Sequence, residues 1–137
     1  IKSCILSGSV GGTELSDGSV ITLGDYSVIS SLTVKHTGES GLNSLCIYGN
    51  GTINNYIFNV DIVLSGSDTN NYGIYLNSVS NFRTDFLTVT IGSGTGSNYG
   101  LYNSGSYSEI SHMRVNITAD SIANYGIYNY VTDIVYI

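Results

Sequence analysis

The sequence predicts an all-β chain wound as a single-stranded parallel β-helix, a solenoid of about five coils of roughly 24–28 residues each. Three observations predict it. A motif recurs as Tyr-Gly-Ile-Tyr at Tyr72 to Tyr75, Tyr-Gly-Leu-Tyr at Tyr99 to Tyr102 and Tyr-Gly-Ile-Tyr at Tyr125 to Tyr128, with a weaker copy from Leu45 to Tyr48. A second strand recurs between these copies with the same period. Charged residues make up only 10% of the chain, and Pro and Trp are absent. The polar surface must then come from Ser, Thr, Asn and Gly, which suits extended β surfaces better than exposed helix faces.

The elements follow in order. The third residues of the motif are Ile47, Ile74, Leu101 and Ile127, separated by 27, 27 and 26 positions. An earlier strand, Ile21-Thr22-Leu23, fits 24 positions before Ile47. The second strand reads Leu32-Thr33-Val34, Val60-Asp61-Ile62, Leu87-Thr88-Val89 and Met113-Arg114-Val115, with steps of 28, 27 and 26. A third, shorter strand has Phe82, Ile110 and Ile134 as its inward residues. Apolar and polar residues alternate with period 2, the strand period. Stretches such as Gly92-Ser93-Gly94-Thr95-Gly96-Ser97 read as turns.

Strands one coil apart pair in parallel, so equivalent side chains stack in rows about 4.7–4.9 Å apart. The expected inward rows are Leu45/Tyr72/Tyr99/Tyr125, Ile47/Ile74/Leu101/Ile127, Leu32/Val60/Leu87/Met113 and Val34/Ile62/Val89/Val115. His36 ends an inward row with Leu64, Ile91 and Ile117.

The Asn-Tyr-Gly-Ile-Tyr-Asn pattern at Asn124 to Asn129 resembles the coils of right-handed parallel β-helix proteins, among them pectate-lyase-like surface proteins, bacterial adhesins and phage tailspikes. The resemblance runs from about Val20 onward and concerns the fold. It implies an extracellular, cell-surface or virion setting, and it agrees with the right-handed crossover rule for parallel strands. Residues 1–137 read as one β-helix segment. Its apolar ends, without polar caps, read as a piece of a longer chain or of an assembled filament or fibre.

The net charge is −6, with Lys2, Lys35, Arg83 and Arg114 as the only basic residues. No basic footprint exists for nucleic acid or for an anionic membrane surface. No apolar run is long enough to span a bilayer. Cys4 and Cys46 are too few for a disulfide framework and read as two free thiols. Sequons occur at Asn50 and Asn116.

The regular outward feature is expected on the Tyr-Gly-Ile-Tyr strand. Asn71, Asn98 and Asn124 would form one row, Gly73, Gly100 and Gly126 a strip of bare backbone, and Tyr48, Tyr75, Tyr102 and Tyr128 another row. Glycine admits a close approach and tyrosine offers flat apolar faces with a polar tip, so this is a candidate contact surface. The same rows also read as stabilising ladders.

For catalysis, paired carboxylates are the sign of glycoside hydrolysis. Glu109 beside Asp133, with Asn81 before them, is the one adjacent acidic pair in this register. No Lys or Arg is expected in that row, and solvated turn acids are the plainer reading. His36 and His112 have no nearby metal-type ligands in sequence, and no metal or cofactor is expected. There is no serine-hydrolase elbow and no phosphate loop. A Thr-x-Thr ice-binding ladder is broken by Asp61 and Arg114 beside Thr88.

The leading expectation is a non-enzymatic structural or adhesive module that self-associates end to end or as a homotrimer. A polysaccharide-binding or polysaccharide-cleaving fragment, a glycoside hydrolase or lyase, is the alternative.

Overall fold

A computed structural model describes residues 4–8, 19–37, 43–66, 69–130 and 134–136. The strands are β1 (Cys4–Gly8), β2 (Ser19–Thr22), β3 (Val28–His36), β4 (Asn43–Asn50), β5 (Tyr56–Leu64), β6 (Asn70–Asn77), β7 (Arg83–Ile91), β8 (Ser97–Asn103), β9 (Ser108–Ile110), β10 (Met113–Ile117), β11 (Ala123–Asn129) and β12 (Ile134–Tyr136). Every strand pairing is parallel, and strands pair with the next coil rather than with their chain neighbour, which makes a β-solenoid. One sheet stacks β2-β4-β6-β8-β11, and the other runs β1-β3-β5-β7-β9-β12 with β10 also on β7.

The predicted period is present in the register. Leu45 pairs with Tyr72, Tyr72 with Tyr99 and Tyr99 with Tyr125. Leu32 pairs with Val60, Val60 with Leu87 and Leu87 with Met113. The second-strand rows face inward as expected: Val34, Val60, Ile62, Leu87 and Val89 lie in the core, with Leu32, Met113 and Val115 packed against it. His36 is fully buried and its row runs through Leu64, Ile91 and Ile117.

Two weaker strands slip by two residues. Ile21, not Leu23, pairs with Ile47. Phe82 and Ile110 are both buried but lie in neighbouring rows, because Ile110 pairs with Thr84, and Ile134 pairs with Ser108. A two-residue slip keeps every side chain on its own face, so alternation cannot detect it.

The corners follow a rule that composition hides. Ser31, Asn59, Phe86 and His112 have φ of 55°, 52°, 50° and 45°, and each directly precedes a second-strand residue. Tyr26, Asn54, Asn81 and Tyr107 form a second such column, with φ of 58°, 57°, 55° and 54°. Each column bends the chain at the same place in every coil. Asn suits this left-handed region, whereas Phe and Tyr are held there against their preference.

Candidate functional site

The Tyr-Gly-Ile-Tyr strand carries the most regular surface, and its facing differs from the expectation at three positions. Asn71 and Asn98 are fully buried. A Cβ on Gly73 would lie 2.5 Å from the Gly100 carbonyl oxygen and 2.6 Å from a Val89 methyl, so this glycine faces the core. Ile74 is also in the core. Two successive residues therefore point inward, and the pleat is interrupted there. Before the interruption the facing is Asn in, Tyr out, Gly in. After it Ile is in and Tyr is out again. Gly73, Gly100, Asn71 and Asn98 of the expected outward rows are thus internal, Gly126 and Asn124 in the last coil are exposed, and Tyr72, Tyr99 and Tyr125 move to the surface. On the weaker copy the same inversion holds: Cys46 joins the core cluster, and Leu45 lies buried outside it. Burial pushes the Cys46 thiol up and leaves it protonated, a free core thiol.

The inward Asn row is a hydrogen-bonded ladder. Asn71 Nδ2 donates to Asn98 Oδ1 at 2.7 Å and to the Ser93 carbonyl at 2.9 Å. Asn98 Nδ2 donates to Asn124 Oδ1 at 3.0 Å, and Asn124 Nδ2 donates to the Ala119 carbonyl at 3.2 Å. An amide carries both donor and acceptor, so identical residues in successive coils link donor to acceptor, while the buried Asn71 Oδ1 accepts no hydrogen bond among the described residues. Gly94, at φ 147°, lies against this ladder, and a Cβ there would collide with the Asn71 and Asn98 amides.

Outward stand two tyrosine rows. Tyr72, Tyr99 and Tyr125 stack with centroids 4.9 and 5.0 Å apart and rings 4° and 10° from parallel. Tyr75, Tyr102 and Tyr128 stack at 4.7 and 5.2 Å, 3° and 13° from parallel, and Tyr48 continues them at 5.8 Å and 36°. The rows meet edge to face, at 5.0 Å and 88° for Tyr72 with Tyr75 and 5.5 Å and 89° for Tyr99 with Tyr102. The result is a herringbone that uses both favourable aromatic geometries, and each pair contributes about 0.5–1.5 kcal/mol beyond its buried area. Burial, reinforced by neighbouring phenols, pushes Tyr72 up to about 12 and raises Tyr75 and Tyr102.

The surroundings of Glu109 differ from the expected register. Glu109 is opposite Arg83 on one side and Val135 on the other. Asp133 lies outside the described residues. Arg83 and Glu109 form an ion pair at 2.7 Å, and the hydrogen bond to Glu109 raises the Arg83 pKa. A basic residue thus sits in the row where none was expected.

Sequence reasoning did not single out Asp85 and its neighbours. Asp85 Oδ1 lies 2.8 Å from His112 Nδ1 and accepts from Ser111 Oγ at 2.9 Å. The His112 hydrogen bond holds the Asp85 carboxyl below its ordinary range. The His112 ring lies on Phe86 at 4.5 Å and 10°. Ser111 and His112 engage the same carboxylate oxygen, so the serine is not placed at the free imidazole nitrogen where a nucleophile would stand. Register could have found this cluster, because His112 follows Phe86 in the same corner column.

Among the described residues no group of three or more His, Cys, Asp or Glu could hold a metal ion, and no helix is long and apolar enough to cross a membrane. Asn50 and Asn116, the sequon residues, are both exposed. No protein family, no curated protein and no solved structure matches the chain.

Proposed function

We propose that the chain is a non-enzymatic structural or adhesive module of the right-handed parallel β-helix kind, carried by an extracellular surface protein, a phage fibre or spike, or a filament. The observation that carries this reading is the use of the tyrosine faces. Tyr99 and Tyr102 have a stacked neighbour on both sides, and Tyr75 lies between a stacked Tyr102 and a tilted Tyr48. A sugar that docks on an aromatic ring needs a free face, and these rings present edges and hydroxyls instead. The rows bind coil to coil along the rod.

The end of the stack is different. Among the described residues β11 has no strand on its outer side. A Cβ on Gly126 meets nothing within 4 Å, whereas Gly73 and Gly100 each meet the carbonyl of the next coil. Tyr125 is exposed and Tyr128 half-buried, each stacked on the preceding coil. An open strand edge templates pairing. A further coil of the same protein or a second copy fits this end, which supports end-to-end or trimeric self-association.

Negative-stain electron microscopy with light-scattering mass tests the reading. Filaments or closed trimers are expected. A monomer at every concentration, with no larger particles, contradicts it.

One observation favours a polysaccharide-binding reading: the phenol tips repeat once per coil on a partly exposed face and can hydrogen-bond a regular glycan. Cleavage has less support, because the ladder neighbours of Glu109 are Arg83 and Val135 rather than a second carboxylate.

A further inference from the structure

The open edge strand β11 is close to a palindrome. From Asn124 to Asn129 it runs Asn-Tyr-Gly-Ile-Tyr-Asn, with Asn and Tyr mirrored about a midpoint between Gly126 and Ile127. The facing is mirrored as well. Asn124 and Asn129 continue the two rows of buried amides, accepting from Asn98 Nδ2 at 3.0 Å and from Asn103 Nδ2 at 3.2 Å. Tyr125 and Tyr128 lie outward, stacked on Tyr99 and Tyr102. Gly126 takes the place of the inward Gly73 and Gly100, and Ile127 packs against the core. The order is in, out, in, in, out, in, and the interruption of the pleat falls on the midpoint.

Such a strand matches an antiparallel copy of itself. Residues directly opposite in an antiparallel pair share one face of the sheet. With the midpoints aligned, Tyr125 meets Tyr128 of the second copy, Asn124 meets its Asn129 and Gly126 meets its Ile127, and every contact occurs twice. Both tyrosine rows gain a ring beyond their last member, and an Ile127 side chain comes opposite a Gly126 whose Cβ position meets nothing within 4 Å. No charge and no Pro lies between Ala123 and Tyr130, although these are the residues that keep sheet edges from pairing. The other end of the rod lacks this match. Among the described residues its outer strand is β2, which puts Ser19 in the row of Tyr125 and Thr22 in the row of Tyr128. A head-to-tail junction would therefore end both aromatic rows.

We propose that the chain pairs with a second copy of itself through β11, antiparallel about a two-fold axis between Gly126 and Ile127, so that two rods join at these ends. The inference rests on the self-association proposed above and names its first contact. A two-fold contact uses the same patch on both copies and closes on itself. The β2 ends of the pair point away from the junction, where growth into a filament can follow.

The test places one cysteine at a time on the edge, Tyr125→Cys or Tyr128→Cys, in a Cys4→Ser chain whose remaining Cys46 is buried. Opposite residues of an antiparallel pair have Cα atoms about 4.5–5.5 Å apart, within reach of a disulfide. After mild oxidation, an equal mixture of the two variants should give an intermolecular disulfide between positions 125 and 128, read by peptide mass spectrometry, several-fold above links between like positions. Assembled particles without that excess overturn the proposal and leave self-association standing. The unaltered chain gives a second measurement. At the concentration where the light-scattering mass doubles, hydrogen exchange of the β11 amides should slow several-fold while that of the β2 amides stays constant. Slowing at β11 and β2 together marks a head-to-tail junction and overturns the proposal, as does a closed trimer. A monomer at every concentration overturns both the proposal and the assembly reading.

Discussion

Replacing Gly100 by Ala probes the facing of the repeat most sharply. The added Cβ would lie 2.5 Å from the Gly126 carbonyl oxygen and 2.7 and 2.8 Å from the two methyls of Val115. The methyls can shift by rotation of a side chain, but the carbonyl belongs to the paired strand β11 and can move only with its ladder. Over-packing of this kind costs about 1–3 kcal/mol, and the backbone contact places Gly100→Ala at the upper end, about 2–3 kcal/mol. Gly126→Ala is the control from the same position of the next coil, where a Cβ meets nothing. It should be neutral, or stabilise by about 0.4–1 kcal/mol through the reduced entropy of the unfolded chain. The assay is urea unfolding followed by circular dichroism, comparing midpoints at constant slope. Equal stability of Gly100→Ala and the parent would refute the inward facing and return the glycine row to the surface.

Other predictions address the ladders, the corners and the phenols. Asn98→Ala removes one acceptor of Asn71 and the donor to Asn124, and should cost about 1–3 kcal/mol in the same urea assay, at about 0.5–1.5 kcal/mol net for each hydrogen bond lost. Tyr107→Asn places a residue that tolerates φ 54° where an exposed ring is now held, and should raise the urea midpoint by the equivalent of about 1 kcal/mol. The Tyr72 phenol, normally near 10.0, is lifted to about 12 in the folded chain. That contribution is complete below pH 10 and is lost as the pH rises toward about 12. Tyr72→Phe should therefore move the alkaline unfolding midpoint upward, read by circular dichroism against pH.

The fold was legible because its signal is redundant. Two independent strands share one period, and the pairings of Tyr72 with Tyr99 and of Val60 with Leu87 follow from it. The facing of the candidate surface was not legible, because alternation was carried through Gly73 and Ile74 without a break. A glycine leaves no side chain to declare its side of the sheet, so the change of phase is silent in the sequence. The Asn row did hold a clue: identical amides at the same place in successive coils can satisfy each other internally, and polarity alone does not put them in water. The register of Glu109 was hidden for another reason. In the short third strand Phe82 and Ile110 both face inward, so a two-residue slip left the pattern intact while placing Glu109 opposite Arg83 instead of Asn81. The left-handed corners at Phe86 and Tyr107 were invisible because these positions hold aromatic residues rather than Gly or Asn.

The central claim is that the tyrosine rows hold the rod together instead of gripping a ligand. The most direct measurement is one preparation of the Tyr75→Ser, Tyr102→Ser chain, assayed side by side for urea stability and for retention on neutral and acidic glycan resins. Tyr102 stacks on Tyr75 and Tyr128 and meets Tyr72 and Tyr99 edge-on. The account predicts a loss of several kcal/mol, at about 0.5–1.5 kcal/mol per aromatic pair, with glycan retention no different from the parent under conditions where both are folded. Parental stability together with abolished glycan retention would contradict it.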